Sequence, residues 1–120
     1  MVNLNLIVIK TDKLQEQSEF YSDLGFQFDY HRHGNGPYHY ASIGGNLVLE
    51  IYPLPKGTIT PDHTTRLGFI VENLNSTIQS LTYKGIRIIA EPTQTEWGYT
   101  AVVQDFDGRK IELTEKKPFS

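Results

Sequence analysis

The chain has no cysteine. Disulfides, thiolate metal sites and a cysteine nucleophile are therefore excluded, and a reducing, cytoplasmic setting fits. Positive charge is also scarce: 11 Lys and Arg stand against 14 Asp and Glu, for a net charge of -3. No basic face is available for a phosphate backbone, so nucleic acid is not expected as a partner. No apolar run approaches the length of a membrane span. Residues 1–9 are apolar but short, and they lack a basic leader, so they read as a strand and not as a signal peptide. Glycine-rich pieces occur at 34–36 and 44–45, but no helical pattern follows either, which argues against a phosphate cradle. No nucleophile, base and orienter stand in a recognisable arrangement.

What is abundant is aromatic: seven Tyr, six Phe and one Trp among 120 residues. That length suits one domain with a modest core, and so many rings leave some for a lined pocket.

The elements repeat. Leu4–Ile9 alternates as a strand. Thr11 or Asp12 is placed to cap a helix carrying Leu14, Phe20, Tyr21 and Leu24, which Gly25 ends, although Gln17 interrupts the apolar stripe. Strands are expected over Phe26–His33, Tyr38–Ile43 and Leu47–Tyr52. Proline-rich chain follows to about residue 64, and the order begins again. Arg66–Val71 is a strand, Asn73 a cap and Leu74–Lys84 a helix stopped by Gly85. Ile86–Glu91, Tyr99–Gln104 and Lys110–Thr114 are strands. Asp12 and Asn73 lie 61 residues apart, Gly25 and Gly85 60, and Glu50 and Glu112 62. Three landmarks at nearly one offset indicate an internal duplication. The expected class is α+β, one domain over 1–120 made of two βαβββ modules. Module one covers about 1–53, a linker about 54–64, and module two about 65–116. Each half is small for an independent core, so pairing within the chain or across a homodimer is expected.

A carboxylate sits inside an apolar strand in each half, and burying one is costly unless the fold uses it. Alternation puts Leu47, Leu49 and Ile51 on the helix side and Val48, Glu50 and Tyr52 on the other. The same parity separates Ile111 and Leu113 from Glu112. In the opening strands it places Leu4, Leu6 and Val8, and Leu67, Phe69 and Val71, toward the helices. The face away from the helices is then expected to hold Asn5, Glu50, Arg66 and Glu112, with Arg66 paired to one of the carboxylates. Trp97, Gly98 and Tyr99, with Tyr52, are candidates for an aromatic wall, which Tyr38 and Tyr40 could extend. His31 and His33 share a strand face at a spacing that could chelate, near His39. Turn-adjacent histidines are expected to be solvated, and His63, in the linker, has the wrong parity for the carboxylate face.

The chain resembles the glyoxalase/bleomycin-resistance/dioxygenase superfamily, the vicinal oxygen chelate fold. The resemblance rests on Thr11-Asp12-Lys13-Leu14, Glu19-Phe20-Tyr21-Ser22-Asp23-Leu24-Gly25-Phe26, Leu67 to Leu74, Trp97-Gly98, and Asp105-Phe106-Asp107-Gly108 leading into Ile111-Glu112-Leu113. It implies two modules forming a cupped mixed sheet around a cavity, commonly in a homodimer. Metal-dependent members carry one ligand in each first strand, often His, and a Glu in each last strand. Those positions fall here on Asn5, Arg66, Glu50 and Glu112. Arginine has no lone pair to give a metal, and an amide is a weak ligand for zinc or iron. The resemblance therefore implies a small-molecule-binding protein with no metal or other cofactor. Asn5, Glu50, Tyr52, Arg66, Trp97, Tyr99 and Glu112 would bind an aromatic or cationic ligand, as antibiotic-sequestering members do. The alternative is a lyase, isomerase or dioxygenase using Glu50 and Glu112, or a metal-free enzyme with Glu112 as base and Arg66 holding an anionic substrate group.

Overall fold

The computed structural model describes residues 1–118. The chain divides into two compact units, Met1–Asp62 and His63–Ser120. The first runs β1 (Leu6–Thr11), α1 (Leu14–Leu24), β2 (Phe28–His31), β3 (His39–Ser42) and β4 (Val48–Pro53). The second runs β5 (Leu67–Val71), α2 (Leu74–Tyr83), β6 (Ile88–Thr95), β7 (Gly98–Gln104) and β8 (Lys110–Glu115). Each is a βαβββ module, as the duplication predicts. The sheet orders are β1-β4-β3-β2 and β5-β8-β7-β6. In both, the first strand pairs parallel with the last and the other contacts are antiparallel.

The helices end alike. Phe26 N–H donates to the Tyr21 carbonyl at 3.3 Å, and Ile86 N–H to the Leu81 carbonyl at 3.0 Å. These bonds need the preceding residue at positive φ, and Gly25 (124°) and Gly85 (80°) supply it. The starts differ. Asn73 caps α2 through its side chain, which accepts from Ser76 N–H at 3.0 Å. In α1 the N-cap is Lys13, which makes no side-chain cap bond. Neither Thr11 nor Asp12 holds that place, although Thr11 Oγ1 accepts from Lys13 N–H at 2.9 Å.

Unit one buries Ile9, Phe20, Tyr21, Leu24, Leu49 and Ile51 against α1. The interrupting Gln17 is wholly buried among them. Unit two buries Val71, Leu74, Ile78, Leu81, Val103, Ile111 and Leu113. Tyrosine hydroxyls tie both helices to their sheets. Tyr40 donates to Gln15 Oε1 and Tyr99 to Asn75 Oδ1, each at 2.8 Å.

The parity of β1 is opposite to the sequence expectation. Ile9 and Thr11 are buried with Ile7 beside them, while Leu6 and Val8 are exposed. The strand starts two residues later than expected, and both of its alternating sets are apolar, so hydrophobicity alone cannot choose the inner one. Parallel pairing chooses: Ile7 and Ile9 lie beside Leu49 and Ile51.

The turn into β8 is locked by buried charge. Asp105 Oδ1 accepts from the backbone N–H of Asp107 (2.9 Å) and of Arg109 (3.0 Å). The Arg109 guanidinium reaches Asp105 at 3.2 Å and Asp107 at 2.9 Å, with its own side chain 2% exposed. Removing one partner strands the other charges in the interior. Arg109→Ala is expected to cost about 3–5 kcal/mol in urea unfolding, while Ala at the neighbouring exposed Lys110 shifts stability by no more than about 0.5 kcal/mol. Equal, small effects would show that the buried pair does not hold this turn.

Candidate functional site

In unit one, the sheet face away from α1 is crossed by two rows of side chains. Val8 pairs with Glu50, Glu50 with Ala41, and Ala41 with Asp29. The next row joins Lys10 to Tyr52 and His31 to His39, with His39 beside Tyr52 when the β3–β4 register is continued by one residue. Glu50 is thus flanked by a valine and an alanine, with its side chain 20% exposed. His39 is 1% exposed and stacks on Tyr52, with ring centroids 3.9 Å apart and planes 10° from parallel. Its Nε2 lies 3.8 Å from Glu50 Oε2, too far for a hydrogen bond. Burial lifts the Tyr52 phenol above its usual acidity range, and the Glu50 carboxylate adds to the shift by opposing a second negative charge. Tyr52 therefore stays a neutral phenol ring, two residues along β4 from the Glu50 carboxylate.

His31 and His33 complete a cluster. The ring centroids of His31, His33 and His39 lie 4.7–5.3 Å apart, and one nitrogen from each falls within 4.8 Å of the others. His33 is exposed and His31 half-buried, but His39 is not the solvated turn residue expected from sequence. The hairpin register carries the signal that would have found it, since His31 and His39 are direct partners across the turn. On the opposite face Tyr30 stacks with Tyr38 at 5.2 Å and approaches Tyr40 at 4.7 Å. With Tyr40 bonded to α1, these rings do not extend a wall beside Glu50.

Asn5 leaves the Glu50 face. It precedes β1 and shares the parity of Ile7, while its carbonyl accepts from Val48 N–H at 2.9 Å. The offset of 60 that relates Gly25 to Gly85 equates Leu6, not Asn5, with Arg66.

In unit two, Glu112 is exposed on the face away from α2, between Gly68 and Val102. A Cβ at position 68 would stand in ordinary van der Waals contact with Glu112, 3.9 Å from its Oε2, so the glycine packs directly beside the carboxylate. Arg66 precedes β5, is exposed, and among the described residues makes no ion pair with Glu112. Of the two carboxylates expected as partners of Arg66, Glu112 in its own unit is therefore not paired with it. Register explains it, since the parallel ladder continued back from Leu67 sets Arg66 beside Lys110. Tyr99 is also displaced from the expected wall, because Ala101 and Val103 share its side and its hydroxyl binds α2. Trp97 stands 75% exposed in the β6–β7 turn, its backbone N–H donating to Thr95 Oγ1 at 3.1 Å. His63 is exposed, and a Cβ on Gly108 would lie 3.5 Å from its own Cβ.

A shallow cleft of about 360 Å³ lies between 25–27 and 43–47 of unit one. No titratable side chain lines it, so it offers shape without chemistry. No helix among the described residues is long and apolar enough to cross a membrane.

The raised phenol of Tyr52 yields a check on this geometry. A phenol whose folded pKa is raised favours the fold below its unfolded pKa, and that stability is lost as pH rises through the folded value. Glu50→Gln is expected to lower the Tyr52 pKa, read as the difference in alkaline ultraviolet titration between each protein and its Tyr52→Phe counterpart. An unchanged difference would separate the two groups electrostatically.

No curated protein matches the sequence at a significant level. Solved structures of similar fold are numerous. An antibiotic binding protein, TnmS3 from Streptomyces sp. CB03234, is 18% identical with a TM-score of 0.73, covering 98% of each chain. A glyoxalase/bleomycin resistance protein/dioxygenase superfamily member from Sphaerobacter thermophilus is 16% identical with a TM-score of 0.73, covering 97% of this chain and 98% of that one. An integron cassette protein from the mobile metagenome of V. cholerae is 20% identical with a TM-score of 0.72, covering 98% and 97%. At such identities these structures establish a shared fold. The sequence itself matches the family over residues 3–113, and the chain belongs to the Glyoxalase/Bleomycin resistance protein/Dioxygenase superfamily.

Proposed function

We propose that this protein binds a small aromatic or cationic molecule without the metal centre of the superfamily's metal-dependent members. One observation carries the reading: neither last-strand carboxylate has an imidazole on the parallel strand beside it. Val8 flanks Glu50 and Gly68 flanks Glu112, and the repeat equates Leu6 with Arg66. Leucine has no donor atom and a guanidinium has no lone pair, so the family's first-strand ligands have no counterpart. Glu50 instead neighbours the stacked Tyr52 and His39 rings. A carboxylate beside a flat aromatic surface suits a ligand that is itself flat or positively charged. The fold shared with an antibiotic binding protein supports sequestration of such a molecule as the task. We place the protein in the cytoplasm, a setting its lack of cysteine fits, and as a homodimer, because β1 and β5 are edge strands of the sheets in their units.

Chelator-treated protein is expected to bind planar cationic aromatics from a compound panel, followed by calorimetry, and to return them unchanged. Glu50→Gln should weaken a cationic ligand about tenfold, the scale of one charge-assisted contact. Conversion of the compound would replace this reading with an enzyme, and binding lost on chelation would overturn its metal-free part. Sedimentation at micromolar concentration is expected to give a dimer, and a monomer would remove the proposed assembly.

A further inference from the structure

The β2–β3 hairpin carries a histidine cluster that shares only the His39 ring with the ligand surface proposed beside Glu50. We propose that His31, His33 and His39 bind one divalent transition-metal ion of the zinc class. The site belongs to unit one alone and does not rest on the function proposed above.

The buried member of the cluster is prepared for this. His39 Nδ1 lies 3.1 Å from the Pro37 carbonyl, which can only accept, so Nδ1 carries the proton. The lone pair is then on Nε2. That atom is buried and has no hydrogen-bond partner, which leaves an acceptor unsatisfied in the interior. A metal-binding histidine is commonly set in this way, its second nitrogen donating to a carbonyl that fixes tautomer and ring orientation. Stacking against Tyr52 further restricts the His39 ring.

The other two imidazoles can complete the site. One nitrogen from each of the three rings lies within 4.8 Å of the others. Zinc–nitrogen bonds near 2.05 Å in tetrahedral geometry set donor atoms about 3.4 Å apart. His33 is exposed in the turn and His31 half-buried at the end of β2, so rotations of these two side chains can close the difference around a fixed His39. Arg32, between them in sequence, points away and lies over the Tyr38 ring at 5.0 Å. No cation therefore opposes the metal from that residue. Glu50 Oε2, 3.8 Å from His39 Nε2, adds a negative charge beside the ion. Three neutral imidazoles favour zinc, copper, nickel or cobalt over magnesium or calcium, which prefer oxygen.

The test uses the full, tag-free chain after chelator treatment and dialysis. Cobalt(II) is expected to bind one per chain, with the visible absorption of a tetrahedral nitrogen-rich site, and to be displaced by zinc. His31→Ala and His33→Ala should each weaken zinc binding about tenfold or more, measured by competition with a chromophoric chelator. Their metal-free circular dichroism and melting should remain those of the parent, because neither side chain is buried in the core. His63→Ala should leave binding unchanged. Absence of stoichiometric cobalt or zinc binding up to about 100 μM, a metal affinity of about −5.5 kcal/mol, would overturn the proposal. So would binding that survives both His31→Ala and His33→Ala. Aromatic-ligand binding measured on the same chelated protein reports on the proposed function separately, so failure of one leaves the other readable.

Discussion

The parallel ladder between the first and last strands of each unit is the constraint on which the rest depends. It puts Ile7 and Ile9 beside Leu49 and Ile51, and Leu67 and Phe69 beside Ile111 and Leu113. Those positions are the floor under each helix. A strand has only two faces, so fixing the apolar set fixes everything opposite. Glu50 and Glu112 point away from the helices because their neighbours must point toward them. The same ladder sends Asn5 to the wrong face and sets Arg66 beside Lys110 instead of Glu112.

The two units share a backbone plan but differ in chemistry. Both close their helices with a glycine at positive φ, and both anchor a tyrosine hydroxyl to the first turn of the helix. Their open faces diverge. Around Glu50 the neighbours are Tyr52 and the histidines of a short hairpin. Around Glu112 they are Gly68 and Val102 across the ladder, with Lys110 and Thr114 along its own strand face. The turns before the last strands differ as well. Two glycines suffice in unit one, whereas unit two uses the buried Asp105–Asp107–Arg109 network. That network costs desolvation but fixes the approach to Glu112 through charge-assisted bonds. The first carboxylate neighbours aromatic rings, and the second follows a turn locked by buried charge and lies beside a glycine.

Particular residues mark where sequence patterns stop being informative. Leu67, Phe69 and Val71 were readable as core because Gly68 breaks the apolar run between them. Leu4 to Ile9 was not, because both of its faces are apolar, and an alternation argument needs one polar face. Tyr99 looked like a pocket wall because it follows Trp97-Gly98, yet its hydroxyl is satisfied by Asn75 on the helix side. Tyr40 is drawn to its helix in the same way by Gln15. Register sets the face of each tyrosine, Tyr99 with Ala101 and Val103 and Tyr40 opposite Ile51, and a hydroxyl bond across 24 or 25 residues of chain then ties it to the helix.

The amino-acid order by itself determined the duplication, the βαβββ plan, the glycine stops and the two carboxylates with their strand parity. These follow from local periodicity and backbone preference, which act over a few residues and are written in consecutive positions. Only the tertiary structure decided the face of β1, the loss of Asn5 from that face, the absence of an Arg66–Glu112 pair and the gathering of His31, His33 and His39. Each of these depends on strand register, which distant residues set by packing and hydrogen bonding. A shift of one residue moves every side chain to the other face, and no local pattern in a strand with two apolar faces records which register wins.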